Sequence, residues 1–237
     1  DSILKFDLKD QFILTAHYLK HYDNSEPIYV GYDPGAFSSI ICAQKKEYGK
    51  RLDIIKEFWA CLPDEQESLA KQFYDFFGSD ATNRLIHLYP DRAGNKKREE
   101  LEQITTDSRA LKHALESYGF SVVLYNEGQG TIYYWQQFKL CQLLFNNGSR
   151  NYLPIIRIDE NECKNLCSAI LISPIIKKNG SIELDKSSER KEPLRKQAGL
   201  TTQLPSAMIY LLYGLYGELA KNELSSIPDN LPENFSM

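Results

Sequence analysis

Long apolar runs are missing from this chain, and that absence removes the first class of function. No stretch approaches the ~20 consecutive apolar residues of a membrane-spanning helix. The start has no charged, apolar, then small-residue pattern of a secretory signal, so the expectation is a cytoplasmic protein with no membrane partner. Cysteine is scarce and unpatterned: five residues, an odd number, with no CxxC pair and no histidines at zinc spacing. That argues against a disulfide framework and against structural zinc. Cys42, Cys163 and Cys167 stand among apolar neighbours and read as core. Of the histidines, His17, His21, His87 and His113, none has the partner pattern of nucleophilic catalysis. His87 alternates with Ile86 and Leu88 and reads as a packed or edge residue of a strand. No GxxxxGK[ST] phosphate loop occurs, so ATP hydrolysis is not expected. Nor is positive charge in excess: the net charge of −4 excludes whole-surface attraction to nucleic acid but leaves room for a local basic patch.

What the chain does have is enough apolar residue, 42% over 237 positions, for a packed core in one large domain or two small ones. Its reading starts from Ile28-Tyr-Val-Gly-Tyr-Asp33-Pro-Gly35. The apolar run suits a buried strand, and Asp33 falls where that strand ends and the chain turns. An aspartate before Pro-Gly is either a turn former or a metal ligand. A second strand, Arg84-Leu-Ile-His-Leu-Tyr-Pro-Asp91, also ends in an aspartate beside a glycine-bearing turn. Two such strand ends could bring both carboxylates to one edge of a sheet, where they would hold a divalent cation.

Around these two strands the pattern is regular. Residues 1–26 are mixed and polar, a lead-in segment with a weak helical stripe of Phe12, Leu14, Tyr18 and Leu19. Ser38–Gln44 and Arg51–Ala60 complete an antiparallel meander with the first strand. Pro63, Asp64 and Glu65 open a helix whose Leu69, Phe73 and Phe76 or Phe77 face the core. After Asp91 comes a basic, glycine-bearing loop to Arg98, then a helix capped within Thr106–Ser108 and ended by Gly119, and a strand over Phe120–Tyr125. Thr131–Phe145 reads as a core helix with Tyr134, Phe138, Cys141 and Phe145 on one side, rather than as a base-stacking surface, because only Lys139 interleaves. Tyr152–Ile158 is a short apolar stretch, Glu160–Ile172 has helical spacing, and Ile175–Leu184 carries an Asn179-Gly180 hairpin turn. A charged run, Asp185–Lys196, precedes an apolar helix over Pro205–Leu219, and residues 225–237 read as a flexible tail. A meander followed by alternating helix and strand is the order of an α/β, ribonuclease-H-like mixed central sheet with helices on both faces, here one domain over residues 27–224.

Most of residues 27–217 resembles the nuclease domain of the large terminase subunit of tailed bacteriophages. The resemblance rests on Leu88-Tyr-Pro-Asp-Arg-Ala-Gly-Asn95, then Thr106-Asp-Ser and Gly119-Phe-Ser-Val. It continues in Cys163-Lys-Asn-Leu166, Asp185-Lys-Ser-Ser-Glu189 and Thr201-Thr-Gln-Leu-Pro-Ser-Ala-Met-Ile-Tyr210. It implies a metal-dependent endonuclease of low sequence specificity acting on double-stranded DNA with one or two Mg²⁺ or Mn²⁺ ions. Asp33 and Asp91 match two of the family's three acids. The third precedes an alanine in the first turn of the last helix, and here that position is Ser206, before Ala207. A serine offers one neutral oxygen where two metals want a bridging carboxylate. Four readings therefore stay open: a weak site, one that borrows Asp185, Glu189 or Glu192, an inactive one, or a deliberate substitution. The alternative function is a degenerate ribonuclease-H-like module that grips DNA or docks a portal or packaging partner without cleaving. A transposase- or resolvase-like nuclease shares the fold and the acids, but the closing block looks more like terminase. Lys96, Lys97 and Arg98 with Lys186, Arg190, Arg195 and Lys196 are the candidate phosphate contacts, each of them otherwise a solvated surface charge. A whole terminase also carries an ATPase domain, absent from this sequence, and works with a portal protein and a small subunit. The chain reads as a piece of the C-terminal half.

Overall fold

The computed structural model describes residues 13–14, 22–34, 37–61, 65–91, 97–100, 103–126, 129, 132–145, 152–172, 175–178, 181–184, 187 and 197–224. The meander is as expected: β2 (Ile28–Pro34) pairs antiparallel with β3 (Ser38–Lys46), and β3 with β4 (Arg51–Ala60), with a register shift between Cys42 and Ala43. On the other side of β2, the parallel strands β5 (Leu85–Pro90) and β8 (Ser121–Leu124) follow. Beyond β4, β9 (Ile155–Asp159) and the two-residue β1 (Ile13–Leu14) complete a seven-stranded mixed sheet in the order β1-β9-β4-β3-β2-β5-β8. The central five, taken in that order from β4 to β8, have the ribonuclease-H-like arrangement that the sequence implies.

Period-2 alternation splits the meander between two apolar layers. Ile28, Val30, Tyr32, Ile40 and Cys42 pack with Leu69, Phe73 and Phe77 of helix α1 (Glu65–Phe77) and Leu111 and Leu115 of α2 (Asp107–Ser117). Phe76 is the partly exposed member of the Phe76/Phe77 pair. On the opposite face, Ile41, Ala43, Leu52 and Ile54 pack with α3 (Tyr134–Phe145), α4 (Lys164–Ile172) and above all α5 (Gln203–Tyr216). Cys42, Cys163 and Cys167 are buried, as are Cys141 and Phe145 of α3. The Thr106 hydroxyl accepts the N–H of Arg109 and caps α2, and Gly119 closes it at φ +84°.

Three sequence expectations need correction. The helical stripe of the lead-in segment fails at Ile13–Leu14, which is a strand parallel to β9; Phe12, Tyr18 and Leu19 lie outside the described residues. The basic loop is in part a ribbon: β6 (Lys97–Glu100) pairs antiparallel with β7 (Gln103–Thr106), a strand pair too polar in sequence to show alternation. The last helix begins two residues early, at Gln203, so Pro205 sits in its first turn, where a missing N–H breaks no intrahelical bond. β10 (Ile175–Lys178) and β11 (Ser181–Leu184) pair antiparallel from Lys178 opposite Ser181, and Asn179 and Gly180, the expected turn, lie outside the described residues. Residues 225–237 also lie outside it.

Candidate functional site

The two strand-end aspartates do meet. β2 and β5 run parallel with Tyr32 opposite Pro90, and the Asp91 N–H donates to the Tyr32 carbonyl at 3.0 Å, extending the ladder one residue further. Asp33 and Asp91 thus stand on neighbouring strands, whose spacing is about 4.8 Å. Alternation puts both on the α5 face, in line with Gly31 opposite Tyr89 and Tyr29 opposite His87. Asp33 is 3% exposed and Asp91 half-buried.

Helix α5 lies directly over them because two glycines let it approach. A Cβ on Gly31 would come within 2.1 Å of the Ala207 carbonyl oxygen and 2.8 Å of the Leu211 Cβ. A Cβ on Gly214 would come within 2.2 Å of the Tyr89 ring. The other end of the helix is fixed as well: Tyr216 lies near enough to Tyr29 and Tyr89 that their phenols add to the burial that raises its pKa. The helix therefore runs against the direction of β2, with its N-terminus toward the strand's C-terminal end. One turn ahead of Ala207, about 5.4 Å, corresponds to about two strand residues beyond Gly31, which is the level of Asp33. The first turn, Gln203 to Ser206, and the positive end of the helix dipole therefore lie toward the strand end that carries the carboxylate pair.

The polar residues gathered here are more than the sequence suggested. Ser39 stands directly opposite Asp33 on β3 and is fully buried. Thr201, Thr202 and Gln203 are at most 1% exposed, and Ser206 is 4% exposed. Neither polar atom of the Gln203 side chain, nor the Ser39 hydroxyl, has a hydrogen-bond partner. Buried amides and hydroxyls are normally paired, so these atoms have the chemistry of a cradle for a polar guest. A pair of carboxylates with neutral oxygens around it suits a hard divalent cation. Ser206 sits in the same first turn. Among the described residues no group of three or more His, Cys, Asp or Glu converges as a metal cluster.

The remaining predicted site residues do not enter this description. Asp185, Glu189, Glu192, Lys96, Lys186, Arg190, Arg195 and Lys196 lie outside the described residues, and Lys97 and Arg98 are placed only by the backbone of β6. His87 is half-buried; it stacks on Tyr29 at 4.8 Å, and its Nδ1 is 2.9 Å from the Tyr125 hydroxyl. Burial, with Lys45 nearby, lowers its pKa, which keeps the ring neutral and structural. No helix of the described residues is long and apolar enough to cross a membrane.

No known protein family and no curated protein matches the chain. Solved structures do. The large terminase of a thermophilic bacteriophage, in complex with ATP-γ-S, superposes with a TM-score of 0.54 at 10% identity, covering 90% of this chain and 45% of that one. The ADP complex of the same terminase gives 0.53 at 12% identity, covering 89% and 44%. The nuclease domain of g2p, the large terminase of bacteriophage SPP1, with bound Mn, gives 0.48 at 10% identity, covering 87% and 97%. The chain spans less than half the length of the thermophilic phage terminase it matches. Its fold is the ribonuclease-H-like fold of terminase, a mixed sheet with helices on both faces.

Proposed function

We propose that this chain is the C-terminal nuclease domain of a phage large terminase, a metal-dependent endonuclease that hydrolyses phosphodiester bonds of duplex DNA with low sequence specificity. The observation that carries this reading is the pairing of Asp33 and Asp91 at the ends of adjacent parallel strands, under the N-terminal turn of α5. Asp33 and Asp91 would hold Mg²⁺ or Mn²⁺. When bound, such an ion supplies positive charge to offset the charge that builds on phosphorus and lowers the pKa of a coordinated water. The chain's own part is to fix the two carboxylates on a rigid sheet edge and to close one side of them with α5. The basic segment that follows Asp91, Lys96, Lys97 and Arg98, would contact phosphates, with Lys186, Arg190, Arg195 and Lys196 joining from the charged run. Affinity for duplex DNA should then fall steeply with salt. The ATPase domain of a whole terminase, a portal protein and a small subunit are the partners this reading brings.

A second reading has its own observation, the neutral Ser206 where the resembling family has an acid. In that case the domain binds DNA or a packaging partner without cutting. Supercoiled-plasmid nicking in Mn²⁺, Mg²⁺ or EDTA separates the two. The nuclease reading expects metal-dependent nicking that Asp33→Asn abolishes while the protein stays folded. Nicking by Ser206→Asp but not by the parent chain would mean an intact scaffold with an emptied site. Silence from both, with DNA still bound, would favour the binding module.

A further inference from the structure

Resting on the reading of Asp33 and Asp91 as cation ligands, we propose that Gln203 is the third side chain of that site, and that the site so formed takes a single divalent cation. Gln203 is fully buried in a helix turn, yet both of its side-chain polar atoms lack a protein partner. Leaving an amide so costs stability unless something else pairs with it. Its position says where that partner belongs. Ala207 and Leu211 meet β2 at Gly31, Gly214 meets the Tyr89 ring on β5, and Gln203 continues the same helical line one turn toward Asp33 and Asp91. From the sheet side, the buried and equally unpartnered Ser39 hydroxyl stands opposite Asp33. An amide offers an oxygen to a cation or its bound water, and an N–H to a carboxylate oxygen, so it can both complete a shell and aim the carboxylates.

The ion count follows from charge. Among the described residues two carboxylates balance one divalent cation, and Gln203, Ser39 and Ser206 add none. A second ion a few ångströms away would leave two positive charges uncompensated in a buried site. Gln203 is in these terms a positioning residue, and Ser206 is what keeps the count at one.

Mn²⁺ titration of the full chain, followed by electron paramagnetic resonance of the free ion and by calorimetry, tests this without reference to cleavage. The expected result is one Mn²⁺ per chain, bound about tenfold or more weakly by Gln203→Leu, restored by Gln203→Glu, and a second Mn²⁺ in Ser206→Asp. Thermal melts of the metal-free variants show whether the Leu variant folds; if it does not, the Glu variant decides, since weakened binding there would overturn the role. Two ions on the parent chain, or unchanged affinity in a folded Gln203→Leu, would overturn the proposal while leaving Asp33 and Asp91 as ligands, provided Asp33→Asn still loses the ion. No Mn²⁺ on the parent chain would overturn the underlying site as well.

Discussion

The end of β2 presents two buried polar groups on opposite faces of the same sheet, and they are built differently. On the α1 and α2 side the Tyr32 hydroxyl lies 3.3 Å from the Ser38 hydroxyl, which donates to Glu65 at 2.9 Å. The Gln66 amide donates to Tyr32 at 3.2 Å and to Asp107 at 3.4 Å. Burial raises the Tyr32 pKa, so the phenol keeps its proton and can serve this network. One residue further along, on the α5 side, Asp33, next to Asp91, stands opposite Ser39, and the side-chain polar atoms of Ser39 and of Gln203 in the first turn of α5 have no protein partner. Both groups are buried and both contain carboxylates. What differs is satisfaction: the first closes its hydrogen bonds within the protein and holds α1 and α2 to the sheet, whereas the second leaves the Ser39 hydroxyl and the Gln203 amide without one. Acidity and burial alone do not distinguish a structural network from a binding site.

Exchanging the roles of the two faces should therefore fail in opposite ways. The largest effect is expected from Asp33→Asn, which should abolish metal-dependent plasmid nicking with little change in the unfolding midpoint. On the other face, Glu65→Ala takes away the acceptor of the buried Ser38 hydroxyl and should cost about 2 kcal/mol in denaturant unfolding, with Mn²⁺ affinity kept. Gly31→Ala couples the faces, because the new methyl would strike the backbone of α5. It should cost about 1–3 kcal/mol by overpacking and also weaken Mn²⁺ binding as the first turn of α5 is displaced. The smallest effect lies away from both. Glu57 accepts the N–H groups of Asn165 and Leu166 at 2.9 and 2.6 Å and so caps α4, yet burial outweighs these bonds and raises its pKa. The native state then holds this proton to higher pH than the unfolded chain does. Its contribution to stability is full below the unfolded value of about 4.3 and is lost as pH rises through the folded value. Glu57→Gln keeps an acceptor and removes the titration, so the fall in melting temperature across that window should flatten.

Much of this was legible from residue order. The meander could be read because its strands are apolar on both faces and flanked by turn residues, and Asp33 and Asp91 stood out as acids closing such runs. β1 was not legible, since two residues cannot show a period and only their pairing with β9 makes them a strand. The β6–β7 ribbon is polar in sequence and carries no alternation. Gln203 carries no signal in sequence, lying just ahead of the apolar run that marks the helix; the close approach of Ala207 to Gly31 is what ties this end of α5 to β2. Glu65 was read as a helix-opening acid, which it is, but its burial against Ser38 depends on β3 lying beneath α1. In each case the missing information was a contact between segments distant in sequence.

The most direct test of the central claim is supercoiled-plasmid nicking in Mn²⁺ by the chain with Ser206 in place, beside Asp91→Asn at matched folded concentration. Nicking by the first that EDTA removes, and none by the second, is the predicted result. Equal nicking by both proteins would contradict the assignment of the site to the Asp33–Asp91 pair.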